Sequence, residues 1–131
     1  MPSLNTVKPQ GVLKEGWTVS VDDYAIVSAW ALDGNILLVG DVMGGISAFD
    51  SKSGNKLWQR TSHGGGLLAM SVHPDGNQFA TAGQDGRAII WQAQKGGIAG
   101  EIEIGKEWVE HLAWSADGQW VAATHSRYVH T

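Results

Sequence analysis

Apolar and polar residues alternate along most of this chain in runs of five or six, each closed by a turn carrying glycine. Residues 25–30 and 36–40 flank Leu32-Asp33-Gly34-Asn35, and Asp-Gly between alternating runs closes tight hairpins. The second run ends at Val42-Met43-Gly44-Gly45. A third, 46–50, leads into Ser51-Lys52-Ser53-Gly54-Asn55, and a fourth covers 56–61. The same order returns at 67–72, 78–83, 88–92 and 98–104. A third series covers 109–115 and 119–124 and breaks off near 128–131. Helices need apolar positions three and four residues apart with caps at their ends, and no ten-residue stretch here has them. The pattern predicts an all-β chain.

The runs are periodic. Asp-Gly recurs as Asp33-Gly34, Asp75-Gly76 and Asp117-Gly118, at intervals of 42 residues. Trp30, Val72 and Trp114 keep that spacing before the turn, and Leu37, Phe79 and Val121 keep it after. So do Ala25, Leu67 and Val109, the pair Gly44 and Gly86, and the aromatics Phe49 and Trp91. Four short strands per period of about 40 residues mark a β-propeller blade. The chain then divides into an N-terminal extension, 1–15, and a propeller segment, 16–131. Blade one covers about 22–61, blade two about 62–104 and a partial blade three about 105–131, with an outer strand expected at 16–21.

Repeat two carries the family's residues. Met70-Ser71-Val72-His73-Pro74-Asp75-Gly76, Phe79-Ala80-Thr81-Ala82-Gly83-Gln84-Asp85-Gly86 and Ile90-Trp91 resemble the WD-repeat β-propellers almost position by position. His63 lies twelve residues before Asp75, at the family's loop histidine, although Ser62 replaces the usual Gly before it. The resemblance implies four-stranded antiparallel blades, here an incomplete ring of about three. It also implies a buried network of His63, Thr81, Asp85 and Trp91, which is worthwhile only when every member has a partner. Repeats one and three depart from the pattern: Val21 and Gly105 stand at the histidine position, and Met43 and Arg127 replace the turn aspartate. Phe49 replaces the third-strand Trp. Those blades are expected to rely on packing alone.

A second resemblance competes in repeat one. Ala48-Phe49-Asp50-Ser51-Lys52-Ser53-Gly54-Asn55-Lys56-Leu57-Trp58 is similar to the tryptophan-docking motif of the quinoprotein propellers, some of which bind pyrroloquinoline quinone. That family's Trp packs between blades. The pattern does not recur, since Gly100 stands where Trp58 would repeat.

Composition narrows the function classes. The chain has 131 residues, no Cys and a net charge of −4. Without cysteine there is no disulfide framework, thiolate chemistry or Cys-based zinc site. An acidic balance argues against nucleic acid, which needs a basic footprint. The apolar runs are far shorter than a membrane span. Met1-Pro2-Ser3-Leu4-Asn5-Thr6 lacks the basic and apolar regions of a secretory signal, so the expectation is a cytoplasmic protein.

Candidate chemistry is sparse. His63, Thr81 and Asp85 contain the residue types of a hydroxyl–imidazole–carboxylate triad, but mid-strand Thr81 is no exposed nucleophile. His73, His111, His125 and His130 form no close pair with metal-ligand spacing and a carboxylate, so no metal is expected. His73, before Pro74, reads as an exposed strand-end residue. Glu101 and Glu103 alternate with Ile102 and Ile104, the pattern of an outer strand with one solvated face. Asp22-Asp23 is a further carboxylate pair, and Gly64-Gly65-Gly66 reads as a flexible loop, since no helix follows to cradle a phosphate. Trp30, Trp91, Trp114 and Trp120 are assigned to core or inter-blade packing.

Binding residues are sought in the loops. Tyr24, Gly66 and Trp108 are equivalent by the 42-residue period, in the loop before each blade's first strand. In the WD family this loop opens on the face most used for partners. Tyr24 and Trp108, with Asp23 and Glu107 beside them and Gln84 at the neighbouring turn, are the expected partner surface, since aromatics dominate binding hot spots. The sequence therefore reads as a non-catalytic scaffold for protein–protein interaction, with no cofactor. The alternatives are a quinoprotein-like dehydrogenase fragment and a subunit whose role is to oligomerise blades. Because propellers have about four to eight blades, further blades are expected from a missing C-terminal part or from other chains.

Overall fold

A computed structural model describes residues 16–131; the expected extension at 1–15 lies outside the described residues. These residues contain eleven β-strands and no helix: β1 (Ala25–Ala31), β2 (Ile36–Asp41), β3 (Gly45–Asp50), β4 (Lys56–Thr61), β5 (Leu67–Val72), β6 (Gln78–Gly83), β7 (Arg87–Gln92), β8 (Ile98–Glu103), β9 (His111–Trp114), β10 (Val121–His125) and β11 (Tyr128–His130). The Asp-Gly turns hold their glycines at positive φ, 82° at Gly34, 79° at Gly76 and 72° at Gly118, where a Cβ is strained. The first turn also holds Leu32 and Asp33 in this region, at 49° and 59°.

The strands form three antiparallel sheets, β1-β2-β3-β4, β5-β6-β7-β8 and β9-β10-β11. β5 lies between β1 and β9, so the sheets stand side by side as blades in an open array that does not close into a ring. The period extends to the irregularities of pairing. Register slips at Ala25/Val27 and at Leu67/Ala69, and again at Ala48/Phe49 and Ile90/Trp91. Each slip shifts the side-chain alternation at the same place in two blades. The middle blade has neighbours on both faces, and five of the six β6 residues are buried. In blade three Ala123 is buried in β10, along with Val109 just before β9.

The first seam, between blades one and two, is built on Trp58. Its ring stacks on Phe79 (centroids 6.1 Å apart, planes at 14°), and Phe79 stacks on Trp91 (6.1 Å, 9°). The indole N–H donates to the Ala93 carbonyl at 2.9 Å. Gly96 makes room, since a Cβ there would sit 2.7 Å from the Trp58 ring. Trp17 repeats the device on blade one. It packs on Phe49 (6.1 Å), donates to the Ser51 carbonyl at 2.8 Å and lies 2.7 Å from the site of a Gly54 Cβ. The docking resemblance at Trp58 thus corresponds to inter-blade packing. Residues 16–21, expected as an outer strand, form none. Trp17, Val19 and Val21 instead line a cleft of about 330 Å3 with Leu37 and Val39 on the outer face of sheet one.

The second seam differs. Gly100 occupies the position of Trp58, and a cleft of about 300 Å3 opens between Ile102 and Ile104 of blade two and Leu112, Trp120 and Val121 of blade three. Trp114 supplies part of the contact, its indole donating to the Ser71 carbonyl at 2.9 Å. At the first seam the Leu32 N–H donates to the Gly76 carbonyl at 3.0 Å. The residue 42 places on from Leu32 is Pro74, which has no N–H. At the second seam Nε2 of His73 faces the Gly118 carbonyl, 42 places on from Gly76, at 2.9 Å. The ring also lies edge-on to Trp114 at 4.7 Å. His73 is therefore a half-buried seam residue, contrary to its reading as an exposed strand end.

Other expectations are corrected by exposure. Trp30 and Trp120, assigned to packing, are 57% and 62% exposed, whereas Trp91 is buried and Trp114 half-buried. The third blade's first strand is shorter than 109–115, and the chain near 128–131 forms a third paired strand. In β8 both faces meet solvent, because Ile98 and Ile102 are exposed as well as Glu101 and Glu103.

Candidate functional site

Blade two brings His63, Thr81, Asp85 and Trp91 together. Nδ1 of His63 lies 2.8 Å from Oδ1 of Asp85, Nε2 lies 2.9 Å from the Thr81 hydroxyl, and the Trp91 N–H donates to that hydroxyl at 2.8 Å. The donors fix the direction of the chain. Indole can only donate, so the Thr81 hydroxyl accepts from Trp91 and donates to Nε2, leaving the His63 proton on Nδ1 for Asp85. Burial pushes the His63 pKa below its ordinary value of 6.5, against the pull of Asp85. Burial raises Asp85, but N–H donors from His63 and Arg87 outweigh it and hold the carboxyl below its ordinary value. Arg87 also pairs with Glu101, tying the turn to β8. Gly83 permits the approach, as a Cβ there would lie 2.6 Å from that of His63.

Blades one and three place different residues at these positions. In blade one, Asp41 stands 42 places before Gly83, and its Oδ1 accepts the Met43 and Gly45 N–H groups at 3.0 and 2.9 Å. In blade two the Arg87 N–H donates to Asp85 at 3.2 Å. The turn carboxylate has thus moved onto the end of β2, and blade one does not rely on packing alone. In blade three, Gly105 replaces the loop histidine while His125 stands at the position of Gly83. A Gly105 Cβ would lie 3.4 Å from the His125 ring, so the imidazole now comes from β10.

The loop residues lie at one end of the blades. In blades one and two the β2–β3-type turn is tied to the loop before the blade's first strand, by Val42 N–H to the Tyr24 carbonyl and Gln84 N–H to the Gly66 carbonyl, at 2.8 and 3.0 Å. Tyr24 is 83% and Trp108 53% exposed. Asp23 and Glu107 are exposed, and Met43 adds a 62% exposed apolar side chain. Gln84 is half-buried over the glycine loop, its Oε1 3.3 Å from the site of a Gly65 Cβ. Beside Trp108 a hollow of about 400 Å3 is lined by Lys106, Glu107, Glu110 and Ser126.

One contact was not read from sequence spacing: Nε2 of His125 and Nε2 of His130 are 2.9 Å apart, with no carboxylate completing a cluster among the described residues. The signal lay in the hairpin: a two-residue turn sets His125 opposite Tyr128 and Ala123 opposite His130, bringing the two rings to one face diagonally.

Blades of antiparallel strands, a recurring 42-residue register and the His63–Thr81–Asp85–Trp91 network define an array of WD-type propeller blades. The comparisons agree. Residues 54–92 match the family described as "WD domain, G-beta repeat". Over 116 residues the chain is 24% identical to echinoderm microtubule-associated protein-like 1 of Rattus norvegicus and of Homo sapiens, covering 86% of this chain and 14% of each relative. Over 69 residues it is 32% identical to WD repeat-containing protein 3 of Homo sapiens, covering 53% of this chain and 7% of that protein. The chain thus carries a WD repeat, and it spans about one seventh or less of the length of these relatives.

Proposed function

We propose that this chain is a non-catalytic scaffold whose strands hold one end of the blades for docking a protein partner. WD-repeat proteins in general bind protein partners, which supports the coarser part of the reading. The observation that carries the finer part is the exposure of Tyr24 (83%) and Trp108 (53%) at repeat-equivalent loop positions. Large aromatics left outside the core, with Asp23 and Glu107 beside them, have the character of interface anchors. A non-catalytic role is supported by Thr81. It is the hydroxyl nearest to His63, it is fully buried, and it is engaged by Trp91 on its other side. In the same reading, the open flanks of the array meet further blades. Well-folded monomer in analytical ultracentrifugation would count against that last element.

The face is tested by capturing partners from a cell extract on immobilised wild-type protein and on the Tyr24→Ala/Trp108→Ala variant, with identification by mass spectrometry. Both positions are exposed, so stability should change by no more than about 0.5 kcal/mol and lost capture reads as lost binding. Proteins that bind wild type are expected to drop out of the variant sample. Equal capture by both sinks the assignment of this face.

A further inference from the structure

We propose that His125 and His130 form a two-imidazole site for a divalent first-row transition metal ion on the β10–β11 hairpin. The hairpin turns on two residues, with Ser126 held at φ 51°, and pairs His125 with Tyr128 and Ala123 with His130. Opposite residues of an antiparallel pair share a face, so His125 and His130 are diagonal neighbours on one side of the sheet. Their ring centroids lie 4.9 Å apart with planes at 19°, and the two Nε2 atoms converge to 2.9 Å. Two nitrogens bound about 2.0–2.1 Å from one ion, at roughly a right angle to each other, are separated by about this distance.

The pair is unusual as a purely structural hydrogen bond. Two neutral imidazoles can share one proton between their Nε2 atoms, and the rest of the ring should then find partners of its own. Nδ1 of His125 is buried and, among the described residues, has none. An ion on the paired face binds Nε2 and leaves this nitrogen free to take up a ring proton. In the metal-free protein one ring carries the proton between the two Nε2 atoms and the other accepts it. An entering ion takes both Nε2 lone pairs, and the donor ring's proton passes to its own Nδ1, so no redox step is involved. Exposed His130 supplies the small ring movement that aims both lone pairs at one point.

Imidazole ligands select zinc, nickel and copper over magnesium and calcium. Water fills the remaining positions, because no group of three or more histidine and carboxylate ligands occurs among the described residues.

The test uses the full chain, with NiCl2 and ZnCl2 followed by calorimetry and by NMR of the histidine ring protons. Saturable one-to-one binding is expected, with Ni2+ broadening confined to His125 and His130. His130→Ala, an exposed position whose loss leaves the fold intact by circular dichroism, should weaken binding by at least about tenfold, since even outer-shell partners are worth this much. His111→Ala, at an exposed position of β9, should leave it unchanged. MgCl2 should give no binding. Absence of saturable Ni2+ or Zn2+ binding up to ~1 mM, an affinity of only about 4 kcal/mol, overturns the proposal. So does binding that survives His130→Ala, which would place the ion on other histidines.

Discussion

The two seams of the array solve one packing problem with different means. At the first, Trp58 fills the space between blades with a buried ring, stacks on Phe79 and closes its polar end on Ala93. At the second, Gly100 stands in place of that ring beside an open cleft, and the buried apolar contact shrinks to Ala69 and Ala82 against Val109 and Ala123, joined by the hydrogen bonds of His73 to Gly118 and of Trp114 to Ser71. The backbone register is the same in both. What differs is how much apolar surface leaves water, and apolar burial is the larger stabilising term. A repeat array can therefore keep its geometry while its interfaces differ in strength.

The comparison can be broken at its strongest point. Trp58→Ala removes a buried ring and a hydrogen bond, and should cost about 3–5 kcal/mol in guanidinium unfolding. Trp30→Ala, at an exposed position, should stay within about 0.5 kcal/mol. Similar losses from both would mean that the ring at the first seam carries no special weight.

The second seam should respond less. His73→Ala leaves the Gly118 carbonyl without its donor and should cost about 1–3 kcal/mol. Adding Pro74→Leu gives blade two the residue found at this place in blade one and restores a backbone N–H. The double variant should unfold later than His73→Ala alone. If His73→Ala unfolds at the wild-type denaturant midpoint, the ring is not acting as the missing donor.

The smallest effect separates blade two, with its buried loop histidine, from blade three, which has Gly105 there. His63 is held below its ordinary value of 6.5 in the folded chain. Above that value both folded and unfolded chains carry it neutral, and its contribution is constant. As pH falls below 6.5 the unfolded chain takes up a proton that the folded chain resists, so stability falls, by at most about 1.4 kcal/mol per pH unit. Asp85, also lowered, adds its loss only further down, in the carboxylate range. Unfolding midpoints at pH 7 and pH 5.5 should differ for wild type and converge for His63→Gln. A pH slope unchanged by that substitution would assign the effect to other groups.

Much of the fold was legible in the chain because strand alternation and turn chemistry are local. Asp-Gly at a fixed interval and apolar residues at period two determine strands, hairpins and blade length without reference to any neighbour. The members of the His63 network were legible too, from the WD resemblance of repeat two. What tertiary structure alone decided is which surfaces meet. Trp30 and Trp114 are equivalent in the chain, yet Trp114 reaches Ser71 across a seam while Trp30 is exposed. Asp41 replaces a turn aspartate from two residues away, and His73 stands in for an N–H that Pro74 lacks. His125 and His130 meet only through the register of a hairpin. Period two tells which residues share a face of a strand, but what covers that face depends on the next blade, whose residues lie about 42 places away.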